Sequence, residues 1–134
     1  MSQANVELVR SIYADWERGD FSSAEWADTG IELVIPEGTD RGNLKGLGAM
    51  AQAWRDFLSA WERYRIEADE YREIDGDRVL VLMRHGGQGK TSGLKVEKLK
   101  TEGANVFDVR DGKVTRLALY WDRGAALVDL GLEE

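Results

Sequence analysis

Apolar positions from Asn5 to Arg18 recur at helical steps. Val6, Val9, Tyr13 and Trp16 are three or four residues apart, with Ile12 beside them, and Gly19 supplies a stop. A short second helix is predicted from Ser22 to Ala27, with a serine available as cap. The run "IELVIP", closed by Pro36, predicts a strand, and the polar, glycine-containing stretch from Glu37 to Gly46 predicts a loop. From Leu47 to Arg63 the helical spacing returns, with Met50, Trp54, Phe57 and Trp61 on one face. Strand-like alternation then fills Arg65 to Ile74, Arg78 to Gln88, Lys95 to Arg110 and Lys113 to Trp121. The last two strands are joined by a tight "RDGK" turn, and a weakly helical tail follows. Helices segregated ahead of an antiparallel meander predict an α+β architecture in a single domain over residues 1–134.

Side-chain alternation also predicts which strand residues face the core. Setting Met83 opposite Leu99, Val81 opposite Thr101 and His85 opposite Glu97 keeps Val81, Met83, His85, Asn105 and Phe107 on one face. In that register the only histidine sits beside a carboxylate, which would raise its imidazole pKa. The opposite face carries Leu80, Leu82, Ala104, Val106, Ala118 and Tyr120. That is an apolar patch, and a two-fold contact between copies through the outer sheet face would bury it. Arg84, Lys98, Lys100 and Arg116 would form its polar rim.

Composition removes several function classes. The formal net charge of −7 is the wrong sign for a nucleic-acid partner. The chain has no cysteine, so thiol chemistry and thiolate zinc sites are excluded, and a single histidine with scattered carboxylates shows no metal-ligand spacing. No cofactor is expected. No signal-like segment opens the sequence and no apolar run approaches the ~18 residues of a membrane span, so a cytoplasmic location without membrane contact is expected. Five tryptophans point to an aromatic core or an aromatic-lined cavity.

The stretch "RHGGQGKTSG" imitates a phosphate-binding loop. That motif needs a glycine five positions before its Gly-Lys-Thr, where Arg84 stands, and a helix after it, where "LKVEKLKTEGANVFDV" alternates like a strand. The glycines serve a hairpin instead. Arg18-Gly19-Asp20 spells an integrin-binding tripeptide, but it falls at a helix end in a chain of cytoplasmic character.

The order of "YADWERGDF", "GIELVIPEG", "GQGKTSG", "VRDGKVTRLALYWDR" and "AALVDLGL" resembles the nuclear transport factor 2-like superfamily, and within it the SnoaL-like, polyketide-cyclase-like group. The resemblance implies a cone-shaped, strongly curved, mostly antiparallel sheet around N-terminal helices. It also implies an open-end pocket for a small apolar molecule, and frequent dimerisation. Members include isomerases, cyclases, epoxide hydrolases and dehydratases, so the fold does not fix the activity. The general-base aspartate of the isomerase-like members corresponds to Ile35, and their oxyanion-hole tyrosine to Ile12, with Tyr13 one step away. Their second oxyanion acid corresponds to Asn105, and an aromatic pocket residue to Trp121. The resemblance thus implies a surviving pocket wall without the steroid-isomerase base.

Three functions stay open on sequence alone. One is acid–base chemistry on a small apolar or aromatic metabolite, with His85 as base tuned by Glu97. The pocket would be lined by Trp16, Trp54, Phe57, Trp61, Met83, Asn105 and Trp121. The others are ligand binding without catalysis, and a dimeric interaction module whose cavity is filled core.

Overall fold

The computed structural model describes residues 3–21, 25–35, 42–59, 61–75, 77–89, 101–120 and 122–131. The element order is α1 (Gln3–Glu17), β1 (Ala27–Ile35), β2 (Gly42–Lys45), α2 (Leu47–Ser59), β3 (Trp61–Asp75), β4 (Arg78–Gly89), β5 (Thr101–Arg110), β6 (Lys113–Tyr120) and α3 (Arg123–Asp129). The strands form one mixed six-stranded sheet in the order β2-β1-β6-β5-β4-β3. All neighbours are antiparallel except β1 and β6, which run parallel. The α+β class follows directly. Among the described residues no helix is long and apolar enough to cross a membrane.

Strand alternation divides the sheet into two faces. Val79, Val81 and Met83 of β4, with Phe107 of β5 and Leu117 of β6, join Val9, Ile12, Tyr13 and Trp16 of α1 and Met50 of α2 in the larger core. A bulge resets β6: Thr115 is the extra residue where Asp108 pairs with Arg116 but Val109 pairs with Val114. Val114 therefore also reaches the larger core despite its even number.

The predicted apolar outer face is real but not exposed. Leu80, Leu82, Ala104, Val106, Ala118 and Tyr120 are all buried within the single chain, packed with Ala126 and against Ile74, Ala125, Leu127 and Leu130. The C-terminal helix α3 occupies the side from which a second copy was expected. The case for a dimer that rested on an exposed patch there therefore falls away.

Polar contacts hold α3 in that position. The Asp122 carboxylate caps it, accepting from the Ala125 amide at 3.1 Å. Arg123 donates to the carbonyl of Met83 at 3.0 Å and to Asp69 Oδ2 at 3.0 Å. Asp69 also accepts from Arg84 Nε at 2.8 Å. Burial pushes the Asp69 carboxyl upward, but the hydrogen bonds and charges of the two guanidinium groups outweigh this and leave it below its ordinary value. At the far end of α3, the Tyr120 hydroxyl donates to Asp129 at 3.0 Å.

Turn geometry follows the sequence where glycine is required. Gly19 ends α1 at φ +83°, with its amide bonded to the Trp16 carbonyl at 2.9 Å. Asp111 and Gly112, at φ +53° and +75°, make the two-residue β5–β6 hairpin that links Arg110 to Lys113.

Four expectations need correction. Glu25 and Trp26 form a turn and Ala27 opens β1, so the short helix predicted from Ser22 to Ala27 is not formed at its described end. Gly42–Lys45, expected as loop, is the edge strand β2 paired with β1. The second helix stops at Ser59 rather than Arg63, because Trp61 and Glu62 pair with Gly89 and Gln88 of the long β4. Ladder pairing there overrides the helical spacing. Finally, the β4–β5 register differs by four residues, so that Val81 faces Asn105 and His85 faces Thr101. A shift of four leaves every side chain on its predicted face, since the period is two. The observed register sets Val79 and Leu80 opposite Phe107 and Val106, where the expected one would have set them opposite Gly103 and Glu102. Apolar cross-strand pairs decide it.

Candidate functional site

Inside the curve of the elements lies a partly open cavity of about 130 Å³. Each wall comes from a different element. α1 contributes Trp16, whose ring lies 5.5 Å from that of Trp54 on α2. Ala53 lies beside Trp54 in the wall, and the next turn of α2 adds Phe57 and Leu58. From the sheet come Leu33 and Ile35 of β1, Tyr64 and Ile66 of β3, Met83 and His85 of β4, Asn105 of β5, and Leu119 and Tyr120 of β6. Phe21 stacks on Trp16 at 6.0 Å and closes one corner. No Asp, Glu, Lys or Arg is among the described lining residues.

Two polar pairs interrupt this apolar wall. The Tyr64 hydroxyl and His85 Nδ1 are 3.0 Å apart. The Asn105 amide is hydrogen-bonded to the Tyr13 hydroxyl, which reaches it from α1. His85 and Asn105 are the buried polar residues of the described structure, at 3% and 2% exposure. Burial lowers the His85 pKa from 6.5 to about 4, so the imidazole is neutral at physiological pH. Burial raises the Tyr64 pKa. It raises that of Tyr13 as well, against the opposing effect of the Asn105 hydrogen bond. All three groups are therefore uncharged hydrogen-bonding groups at neutral pH.

The structure brings Trp16, Trp54, Phe57, Met83, His85 and Asn105 together around this one cavity. Trp61 opens β3, but its side chain lies outside the described part, and so do Glu97 and Trp121. The expected His85–Glu97 strand pair is not formed in the observed register, where His85 faces Thr101. Tyr64 is a hydrogen-bond partner of the imidazole, whose pKa moves down rather than up. Ile35, at the position of the isomerase-like base, is an apolar part of the wall. Ile12 is buried in the core, and the neighbouring Tyr13 is the α1 tyrosine that meets Asn105.

Tyr64 escapes the sequence reading because it falls between the expected helix end at Arg63 and the expected strand start at Arg65. Beginning β3 at Trp61 would have revealed it, since Tyr64, Ile66 and Ala68 alternate onto the inner face.

Solved structures of the same shape are numerous. TerC, co-crystallised with polyporic acid, is 22% identical, with a TM-score of 0.75 over 96% of this chain and 98% of its own. A nuclear transport factor 2-like protein of unknown function from Burkholderia pseudomallei is 18% identical, with a TM-score of 0.78 over 94% and 96%. A candidate SnoaL-like polyketide cyclase from Jannaschia sp. CCS1 is 17% identical, with a TM-score of 0.71 over 98% and 94%. At these identities the likeness concerns the fold. Comparison with curated proteins finds no match. The family model of the SnoaL-like domain matches residues 9–117, from the middle of α1 through most of β6 and so through nearly every element that walls the cavity, and the chain belongs to that family.

Proposed function

We propose that this protein binds a small, largely apolar, ring-bearing molecule in the cavity between α1, α2 and the sheet. The observation that carries the reading is the cavity wall, which is aromatic and aliphatic except for two uncharged polar pairs. Its volume of about 130 Å³, open on one side, suits a small aromatic body. An apolar cavity of ~150 Å³ in an engineered core holds benzene. Few polar groups in an apolar pocket is the usual composition of a small-molecule site. TerC, which shares the fold, was crystallised with a small molecule, polyporic acid.

Trp16 and Trp54 provide the assay, because both contribute to the wall. Titration with 2-naphthol should quench tryptophan emission saturably. Ala53→Phe, which fills the cavity from α2, should abolish the saturable part while leaving the circular dichroism spectrum unchanged. Quenching that stays linear, or that Ala53→Phe leaves intact, would remove the reading. Native mass spectrometry of the purified protein offers an independent view of any retained ligand.

A second reading, proton transfer by His85, draws on the phenol–imidazole hydrogen bond to Tyr64 inside a water-poor cavity. With its pKa near 4 the imidazole is present as the free base but is a weak one. Binding without turnover is therefore the better-supported function. Base catalysis would need a neighbouring carboxylate to raise the imidazole pKa, and proton NMR of the sole histidine discriminates. A titration midpoint above 6.5 would restore the catalytic reading, whereas one near 4 supports binding.

A further inference from the structure

We propose that the cavity is built for a neutral, two-ended ligand: an elongated aromatic body carrying an uncharged hydrogen-bonding group, hydroxyl or carbonyl, at each end. The inference rests on the cavity being a binding site, as proposed above, and names the class of molecule it takes.

The spacing of the polar groups is the first support. Asn105 stands opposite Val81 in the β4–β5 ladder, and His85 lies four residues further along β4 on the same face. At ~3.3 Å per residue the two positions are roughly 13 Å apart along the strands. Both line the one cavity, and Met83 lies between them on the same face. They do not converge on a single atom of a ligand. They mark two ends, with an apolar wall between.

The chemistry at each end is the second support. At one end, one amide atom of Asn105 is committed to the Tyr13 hydroxyl, while Oδ1 is buried without a hydrogen-bond partner among the described residues. A buried amide atom in this state gains most from a ligand that completes it. Turning the amide over exchanges oxygen for nitrogen with little change in shape, so Asn105 can offer an acceptor or a donor. At the other end stands the Tyr64–His85 pair, and a phenol and a neutral imidazole each carry both donor and acceptor capacity. Hydroxyl and carbonyl groups match both ends.

Charge supplies the third support. The described lining holds no cationic or anionic side chain, so a carboxylate or ammonium entering it would lose its hydration without gaining a counter-charge.

Isothermal titration calorimetry on the full chain tests this with three probes of one shape: 2-naphthol, 2,6-dihydroxynaphthalene and naphthalene-2,6-dicarboxylate. The diol should bind roughly tenfold tighter than 2-naphthol, and the dicarboxylate at least tenfold more weakly than the diol. Asn105→Leu should bring the diol down to the level of 2-naphthol. A diol no tighter than 2-naphthol in the wild-type protein would overturn the two-ended ligand while leaving the cavity reading intact. A dicarboxylate that binds tightest would overturn its neutrality. Binding by none of the three would remove the cavity reading and this inference together. The wild-type comparisons decide the matter even if Asn105→Leu does not fold.

Discussion

Replacing His85 with glutamine should remove a pH dependence of stability whose sign and size follow from burial. The native imidazole has its pKa lowered to about 4, against an ordinary value of 6.5. Between those two values the unfolded chain holds a proton that the native protein refuses, so stability rises with pH through that window. The contribution is complete above pH 6.5, is lost progressively as pH falls, and is exhausted below the native pKa near 4. About 2.5 units at 1.36 kcal/mol each gives a total of about 3 kcal/mol, of which about 2 kcal/mol is already gone at pH 5. Carboxylates titrate in the same range, which is why the comparison with His85→Gln is needed. Urea unfolding of both proteins from pH 5 to pH 7.5 should show the wild type losing about 2 kcal/mol more than the variant on acidification. Because the chain has one histidine, its ring protons report the midpoint without assignment ambiguity. A stability difference that stays flat over this range would refute the reasoning, as would a midpoint at or above 6.5.

Other expectations concern the elements that frame the cavity. Arg123→Ala removes the bonds to the Met83 carbonyl and to Asp69 that fasten the start of α3. It should cost about 1–3 kcal/mol, speed amide exchange in residues 123–129, and move the Asp69 pKa back upward. Unchanged exchange there would show that α3 is held by its apolar contacts alone. Gly112→Ala forces an L side chain into φ +75° and should cost about 1 kcal/mol, measured by thermal unfolding, with no effect on ligand titrations.

The sequence made the class and most of the cavity wall legible for one reason: both depend on which side of an element a residue faces. Helical steps exposed Trp16, Trp54 and Phe57, and strand alternation exposed Met83, His85 and Asn105, all now found around one cavity. Register was not legible in the same way. Alternation distinguishes odd shifts from even ones but cannot tell a pairing from another two or four residues away, so Glu97 was set opposite His85 where Thr101 stands. Trp61 continued a helical pattern, but the exposed edge of β4 gave it a ladder partner that the local pattern does not contain. Alternation identifies the outer apolar face but not its cover, because a tail of weak helical periodicity gives no sign of where it docks. Tyr64 sits in the gap between the expected helix end and the strand expected from Arg65, so alternation does not reach it.

The parallel pairing of β1 with β6 has a consequence for how the chain acquires its shape. The strands β3, β4, β5 and β6 are consecutive antiparallel neighbours and can zip in the order in which they are synthesised. β1 cannot, since its partner Leu117 lies far downstream of Leu33, near the other end of the sequence. Until β6 emerges, the β1–β2 hairpin has no sheet to join, and the aromatic side of α1 lacks part of the surface it packs on. Loop closure over such a separation is slow, and it leaves apolar surface uncovered while it waits. Released fragments that end before Lys113 should therefore be cleaved readily in β1, whereas the full chain should resist proteolysis there.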